Sequence, residues 1–284
     1  MKPKLEKKHI LWILCIVVLF TAYPLLEEVL SSSRHRFSSF RKEESPKGEV
    51  VGKTTNIPFS TYHPGLKATP PSMKEGSSMP RQRGMTASRF DSLGLVNIAE
   101  LDSTIAVSLL YATPDNFVGE ILYDDLTEAY LHPEAAEALL KAQRLLKGKH
   151  PDYTLIIYDA TRPMSVQRKM WDLVKGTSKN IYVSNPARGG GLHNYGLAVD
   201  ISILDANGIP LPMGTEVDHL GPEAHTTNEA QLVKNGVITQ QEKENRELLR
   251  QVMRGAGFRA LHSEWWHFNL YSREVAKKNY KLIE

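Results

Sequence analysis

Apolar positions divide the chain into two regimes. From Ser31 to about Arg89 they are scattered with neither a period of two nor of 3.6, whereas from Phe90 onward they fall into element-sized patterns. Leu95 to Ile98 and Ile105 to Leu110 alternate or cluster like strands. Ile121-Leu-Tyr123, after the loop Asn116-Phe-Val-Gly119, is a further short extended piece. His132-Pro133 opens a helix in which Ala135, Ala138, Leu139, Ala142, Leu145 and Leu146 share a face, with Lys147-Gly148 as its stop. Tyr153 to Tyr158 is β-branched and aromatic, as a buried strand requires. Pro163 then starts a second helix reaching about Val174, closed by Lys175-Gly176. Leu197 to Ile203 reads as a strand, Glu242 to Ala256 as a third helix with Gly255 and Gly257 at its end, and Trp266 to Leu270 as a final strand. Helices and strands mix without regular βαβ alternation, which predicts an α+β fold around a mainly antiparallel sheet.

The region before Phe90 has a different character. Lys2, Lys4, Lys7 and Lys8 precede the apolar run Ile10 to Ala22, and this order of charge then apolar run is that of an export signal. Tyr23 to Leu26 would lengthen the run toward the ~20 residues that span a bilayer, and no small-x-small cleavage site comes after it. Residues 1–30 are therefore either a signal peptide or a membrane anchor, with attachment through residues 10–26. Ser, Pro, Lys, Gly and Thr dominate residues 31–89, which read as a disordered linker unable to bury enough surface to offset its ordering entropy. Residues 90–284 are left as the folded domain.

Composition narrows the chemistry. A formal net charge of +3, from 35 basic and 32 acidic residues and with much of the surplus before residue 90, gives no case for nucleic-acid binding. Cys15 is the sole cysteine, so no intramolecular disulfide or cysteine-built metal site can form, and Leu14 stands where a small residue should precede a lipidated cysteine. Any metal must use His, Asp or Glu. His193 and Asp200 place one candidate ligand in the loop entering a strand and the other on the strand itself, while Glu264 and His267 begin another. Two imidazoles and one carboxylate suit a zinc ion with its fourth position open, and Glu264 would then be free to move a proton. The same residues also admit plainer readings: an Asp that caps a turn, and a core histidine beside Trp265 and Trp266.

Four segments, in order, alter that balance: Asp159-Ala-Thr-Arg-Pro163, Gly191-Leu-His-Asn-Tyr-Gly-Leu-Ala-Val-Asp200, Met213-Gly-Thr215 and Ser263-Glu-Trp-Trp-His267. Together, across roughly residues 92–284, they resemble the D-alanyl-D-alanine dipeptidases of the vancomycin-resistance type, within the D-alanyl-D-alanine metallopeptidases. The resemblance implies a central antiparallel sheet flanked by helices, with the zinc site on the sheet and one zinc per chain. It places His193, Asp200 and His267 on the metal ligands, Glu264 on the catalytic acid/base and Arg162 on the group that stabilises an oxyanion. A guanidinium suits that last task, although pairing of Arg162 with Asp159 beside the helix start is the structural alternative. Asp218, in the segment that continues from Met213, is the candidate partner for a substrate ammonium, or else merely organises the loop around Gly214. His219, His225 and His262 read as loop or surface histidines.

The expected protein is a zinc peptidase that hydrolyses D-Ala-D-Ala or a similar small peptide, exported to the periplasm or the outer face of a bacterial cytoplasmic membrane. The same ligands would also support a carboxypeptidase or endopeptidase acting on peptidoglycan stem peptides, and a non-catalytic zinc-containing wall-binding module is the alternative from another class. The sequence departs from the family pattern at Gly191, where serine is usual, and at Asn194 and Tyr195. Those departures bear on substrate preference rather than on metal binding.

Overall fold

The computed structural model describes residues 84–284. The expected signal or anchor, Cys15 and nearly all of the expected linker lie outside the described residues. Helix α1 (Met85–Ser92) begins within the last residues of that linker reading, because Ala87 and Phe90, three apart, turn into the core. Strand β1 (Val96–Asn97) leads into helix α2 (Ile98–Leu101), followed by strands β2 (Ala106–Val107) and β3 (Tyr130–Leu131). Helix α3 (Pro133–Lys149), strand β4 (Thr154–Asp159), helix α4 (Met164–Val174) and strand β5 (Ala198–Leu204) come next. The chain closes with helix α5 (Glu229–Lys234), helix α6 (Gln240–Ala256), strands β6 (Arg259–Ala260) and β7 (His267–Asn269), and helix α7 (Arg273–Asn279).

The main sheet has the order β2-β4-β5-β7-β6, and only the β2–β4 pair is parallel, so the α+β, mainly antiparallel reading stands. Every residue of β5 is buried, which requires cover on both faces of the sheet. Helices supply much of it: α3 packs on β4 and on α6. The buried side of α6 runs through Arg246, Leu249, Arg250, Val252, Met253 and Ala256, an apolar stripe with two arginines set into it. Both arginines are paired: Arg250 forms a two-pronged contact with Glu229, and Arg246 donates to the Met213 carbonyl at 2.6 Å. Thr239 and Glu242 cap α6 reciprocally, and Gly257 ends it in a left-handed conformation. Among the described residues no helix is long and apolar enough to cross a membrane.

Several elements differ from expectation for local reasons. The first strand stops at Asn97 because its side chain accepts from Ala99 N at 3.0 Å and starts a helix there. The stretch 105–110 yields only the two-residue β2 before a 3₁₀ turn, Leu110–Ala112. Ile121–Tyr123 is no strand: Leu122 N and Tyr123 N both donate to the Tyr111 carbonyl, a fold-over rather than a ladder. Gly148 does not stop α3, which runs to Lys149; the glycine is exposed, where its cost is only ~1 kcal/mol relative to alanine. Leu145 lies at the exposed edge of that helix, and Gln143 is buried instead, its amide bridging Thr154 Oγ1 and Leu155 N.

Candidate metal and catalytic site

Strand register assembles the centre. Ile157 pairs with Ile201, and regular antiparallel pairing would set Tyr158 opposite Asp200. A bulge after Ile157 instead brings Asp159 opposite Asp200, which in turn pairs with His267 on β7. Residues directly opposite share a face, so Asp159, Asp200 and His267 form one row across three strands. The 3₁₀ turn Leu192–Tyr195 brings His193 onto that row. Asn194, fully buried, fixes the turn: its Oδ1 accepts from Gly191 N at 2.8 Å, and its Nδ2 donates to the Arg162 carbonyl at 2.7 Å. Arg162 N in return donates to the His193 carbonyl.

The donors then converge. His193 Nε2 lies 3.1 Å from His267 Nδ1, His267 Nδ1 lies 2.9 Å from Asp200 Oδ1, and His193 Nε2 lies 3.4 Å from the same oxygen. The protons on the imidazoles can be traced from their outer nitrogens. His193 Nδ1 is 2.6 Å from the Ala160 carbonyl, which only accepts, so Nδ1 carries the hydrogen and Nε2 presents a lone pair. His267 Nε2 is 2.9 Å from Asn269 Oδ1 and by the same argument leaves Nδ1 bare. Two lone pairs and a carboxylate oxygen thus face one another with no hydrogen between them, an arrangement that a cation or an added proton must stabilise. Ring nitrogens turned outward onto a carbonyl and an amide oxygen are the supporting contacts that metal-binding histidines make. These three residues fit a metal ion, and theirs is the group of potential ligands found among the described residues.

Around this centre the charges are graded by environment. Burial alone would push the Asp200 carboxyl up, but when the metal-free site takes up the added proton on its imidazoles, the pull and hydrogen bonds of the His193 and His267 rings outweigh burial and hold the group well below the usual carboxylate range. Glu264, on the turn before β7, has its Oε2 3.9 Å from His267 Nδ1. Burial is the main cause that raises it to about 7; Asp200 and Asp218 add to the rise, while His267 and Arg162 oppose it. Arg162 makes the structural pairing with Asp159. Its Nε and NH2 group hold Asp159 Oδ2 at 2.9 and 2.5 Å, NH1 donates to Gln167 Oε1 at 3.0 Å, and the side chain still borders the cavity. A guanidinium has five N–H donors and these bonds use three, so two remain.

The cavity encloses about 390 Å³, and His193, Asp200, His267, Glu264, Arg162 and Asp218 all line it. Asp218 has φ 66°, a left-handed conformation that is unusual outside glycine. Its Oδ2 accepts from the buried Tyr111 hydroxyl at 2.7 Å, and burial raises its carboxyl to about 7, with Asp200 adding to the rise. The Met213-Gly-Thr segment sets up this corner. Gly214 needs its own left-handed φ of 81°, and a Cβ there would stand 2.5 Å from Ile238. Thr215 Oγ1 accepts from the Trp265 indole at 2.8 Å, which ties the Asp218 loop to the strand start bearing Glu264. His219, His225 and His262 do not line the cavity; His219 pairs with Glu223, and His225 with the Tyr182 hydroxyl. At Gly191 a Cβ would come within 2.9 Å of Ser184 Oγ, so the side chain of Ser184 fills the space beside this glycine.

Four neighbours of the site carry no motif of their own in the sequence. Tyr111 lies beneath the Arg162 guanidinium, 5.0 Å from ring centre to Cζ, and Tyr123 donates to Asp159 Oδ1 at 2.6 Å. Gln167 joins Arg162 to the Ser184 carbonyl. Asn269, which orients His267, lies two residues beyond it, the spacing that keeps a strand's side chains on one face.

Fold and site together define an α+β domain with a His-Asp-His group on its sheet and a buried glutamate beside it. The model of the D-ala-D-ala dipeptidase family matches residues 91–283, and the chain belongs to that family of peptidases. Among curated relatives it is 31% identical to D-alanyl-D-alanine dipeptidase of Escherichia coli, over 63% of this chain and 86% of the relative. It is 28% identical to D-alanyl-D-alanine dipeptidase of Synechocystis, over 52% and 71%. A solved structure of the LdcB LD-carboxypeptidase aligns with a TM-score of 0.29 at 21% identity, over 52% of this chain and 63% of that one.

Proposed function

We propose that the chain is a zinc-dependent dipeptidase that hydrolyses D-Ala-D-Ala or a similar dipeptide, with zinc held by His193, Asp200 and His267. The observation that carries this reading is the convergence of two imidazole lone pairs and the Asp200 carboxylate beside Glu264 in one cavity. Zinc, when bound, supplies Lewis acidity that polarises a carbonyl and lowers the pKa of water. Glu264 takes the proton of the attacking water and returns it to the departing amine. Burial, which raises this carboxyl to about 7 in the metal-free site, favours its protonated form and suits it to carry the proton from one to the other. The two free N–H groups of Arg162 bind the oxygen on which negative charge develops, while Asp159 and Gln167 hold the guanidinium flat. Asp218 and the Tyr111 hydroxyl receive the substrate ammonium, which also favours the ionised carboxylate. The basic residues and apolar run within residues 1–30, outside the described residues, would export the enzyme, to the periplasm as a cleaved signal or to the outer face of a bacterial cytoplasmic membrane as an anchor.

The test is release of D-alanine from D-Ala-D-Ala by the full chain, with zinc, with chelator and as Glu264→Ala. Zinc-dependent release that disappears in the variant is expected. Absence of release by folded, zinc-loaded protein would sink the proposal.

A further inference from the structure

The cavity wall carries three arginines, and their partners differ. Arg162 holds Asp159 and Gln167. Arg259 and Arg273, in contrast, have no carboxylate within ion-pair distance among the described residues. Arg273 is anchored by its NH2 group on the carbonyls of Arg188 and Gly190, and its Nε, closed off from solvent, has no hydrogen-bond partner. Arg259 stands on the edge strand β6 opposite Asn269, so it shares the sheet face of Asn269 and His267. Two guanidinium groups without a carboxylate partner thus stand on the wall of an otherwise acid-rich cavity, where a bound anion can engage them.

Sheet order gives this end a direction. Arg162 lies just beyond β4, and Asp218 is hydrogen-bonded to Tyr111, on which Arg162 rests; Arg259 lies on β6, beyond β5 and β7. The cavity therefore has Asp218 and Arg162 on the β4 side, the His-Asp-His group in the middle and Arg259 on the β6 side, with Arg273 also on its wall, held by the Arg188 and Gly190 carbonyls. Three interstrand steps cover roughly 14 Å. A long arginine side chain spans part of that distance and leaves the length of a short peptide, at about 3.5 Å per residue.

We propose that Arg259 and Arg273 form a carboxylate subsite that binds the free C-terminal α-carboxylate of the peptide substrate. The inference rests on the peptidase reading above and deepens it. If Asp218 takes the ammonium and the two arginines take the carboxylate, the site selects a zwitterionic short peptide, and a bond far from a free C-terminus is a poor substrate. A planar guanidinium matches a carboxylate in two-pronged fashion, which a neutral amide cannot reproduce.

Binding tests this without depending on turnover. The full chain carrying Glu264→Ala, loaded with zinc, is titrated calorimetrically with D-Ala-D-Ala and with D-alanyl-D-alaninamide. The acid is expected to bind at least about tenfold more tightly than the amide, and Arg259→Ala to reduce that preference on the order of tenfold, as loss of a charge-assisted hydrogen bond predicts. Arg259→Glu should abolish the preference. Arg273→Ala is expected to do the same, and if loss of its hold on Gly190 unfolds the chain, the exposed Arg259 decides alone. An acid preference that survives in folded Arg259→Ala and Arg259→Glu overturns the subsite, as does failure to bind either ligand. Binding with the expected preference, but no hydrolysis by the Glu264-containing chain, overturns the dipeptidase reading and leaves the subsite standing.

Discussion

The His-Asp-His group and the Asp218 corner line the same cavity but are held by different means. Three strands carry the first: Asp159, Asp200 and His267 are neighbours through backbone register, and His193 is locked onto them by a 3₁₀ turn that Asn194 pins at both ends. The second hangs on a loop, with Asp218 in a left-handed conformation and one tyrosine hydroxyl on its carboxylate. A sheet cannot shift one of these residues without breaking a ladder, whereas a loop can be re-aimed by a few torsions. The proposed chemistry thus sits where the fold is least free to vary, and the proposed recognition of the substrate ammonium sits where it is freest.

Metal removal should break the comparison most sharply. Chelation is expected to abolish peptide hydrolysis and to lower the melting temperature on the order of 10 °C, because a ligand bound only to the native state adds its binding free energy to stability. His193→Ala or Asp200→Asn should reproduce that loss, measured as zinc content and melting temperature together, while Asp218→Asn should retain zinc. A zinc content that falls equally in all three would mean that the loop and the sheet are one unit. Next in size, Glu264→Gln is expected to keep zinc and lower kcat by about 10²–10⁴, the range typical for removal of a general acid/base.

Asp218→Asn should raise KM for the dipeptide on the order of tenfold, since a charge-assisted contact is lost. It also has a pH signature in chelated protein. The folded carboxyl sits at about 7 against an ordinary 3.8, so below pH 4 both folded and unfolded chains hold the proton. As pH rises from 4 to 7 the unfolded chain releases it first, and the native state loses stability relative to the variant; above 7 the difference is constant. The carboxyl borders a wet cavity, which limits the gain of Asp218→Asn to roughly 2 kcal/mol at pH 8. Bound zinc, a nearby positive charge, should shrink it. Denaturant melts at pH 4.5 and 8 read this directly.

How much of this is legible in the sequence depends on the range of the signal. The β5 strand, the helix opened by Pro133 and the helix ending at Gly257 arise from local periodicity and stop residues, and the candidate ligands from their motifs. Asn269 is within reach of the period-two rule applied from His267. The bulge that seats Asp159 beside Asp200 is not, because a one-residue register shift leaves the composition of Tyr153 to Tyr158 unchanged. Tyr111 is not either: its link to Asp218 spans 107 residues, and only the folded chain sets the two side by side. Gly148 misleads because an exposed glycine in a last turn flanked by lysines costs too little to end a helix.

Gln167 offers the finest cut between the two regions, since it belongs to neither. It stands on α4, accepts from Arg162 NH1 at 3.0 Å and donates to the Ser184 carbonyl at 2.8 Å, so it sets the tilt of the guanidinium without touching the metal group. Asp159 already holds the other side of Arg162, so Gln167→Ala should leave the charge in place and blur only its aim. The expected result is a fall in kcat of about tenfold, comparable to one charge-assisted hydrogen bond, with KM changed less than about twofold, because Arg162 is proposed to act on charge that appears only as the reaction proceeds. Gln167→Glu keeps an acceptor for Arg162 and loses the donor to Ser184, so it should recover most of kcat. A rise in KM with kcat unchanged would instead assign Arg162 to ground-state binding and move it from the sheet-held chemistry to the recognition side of the cavity.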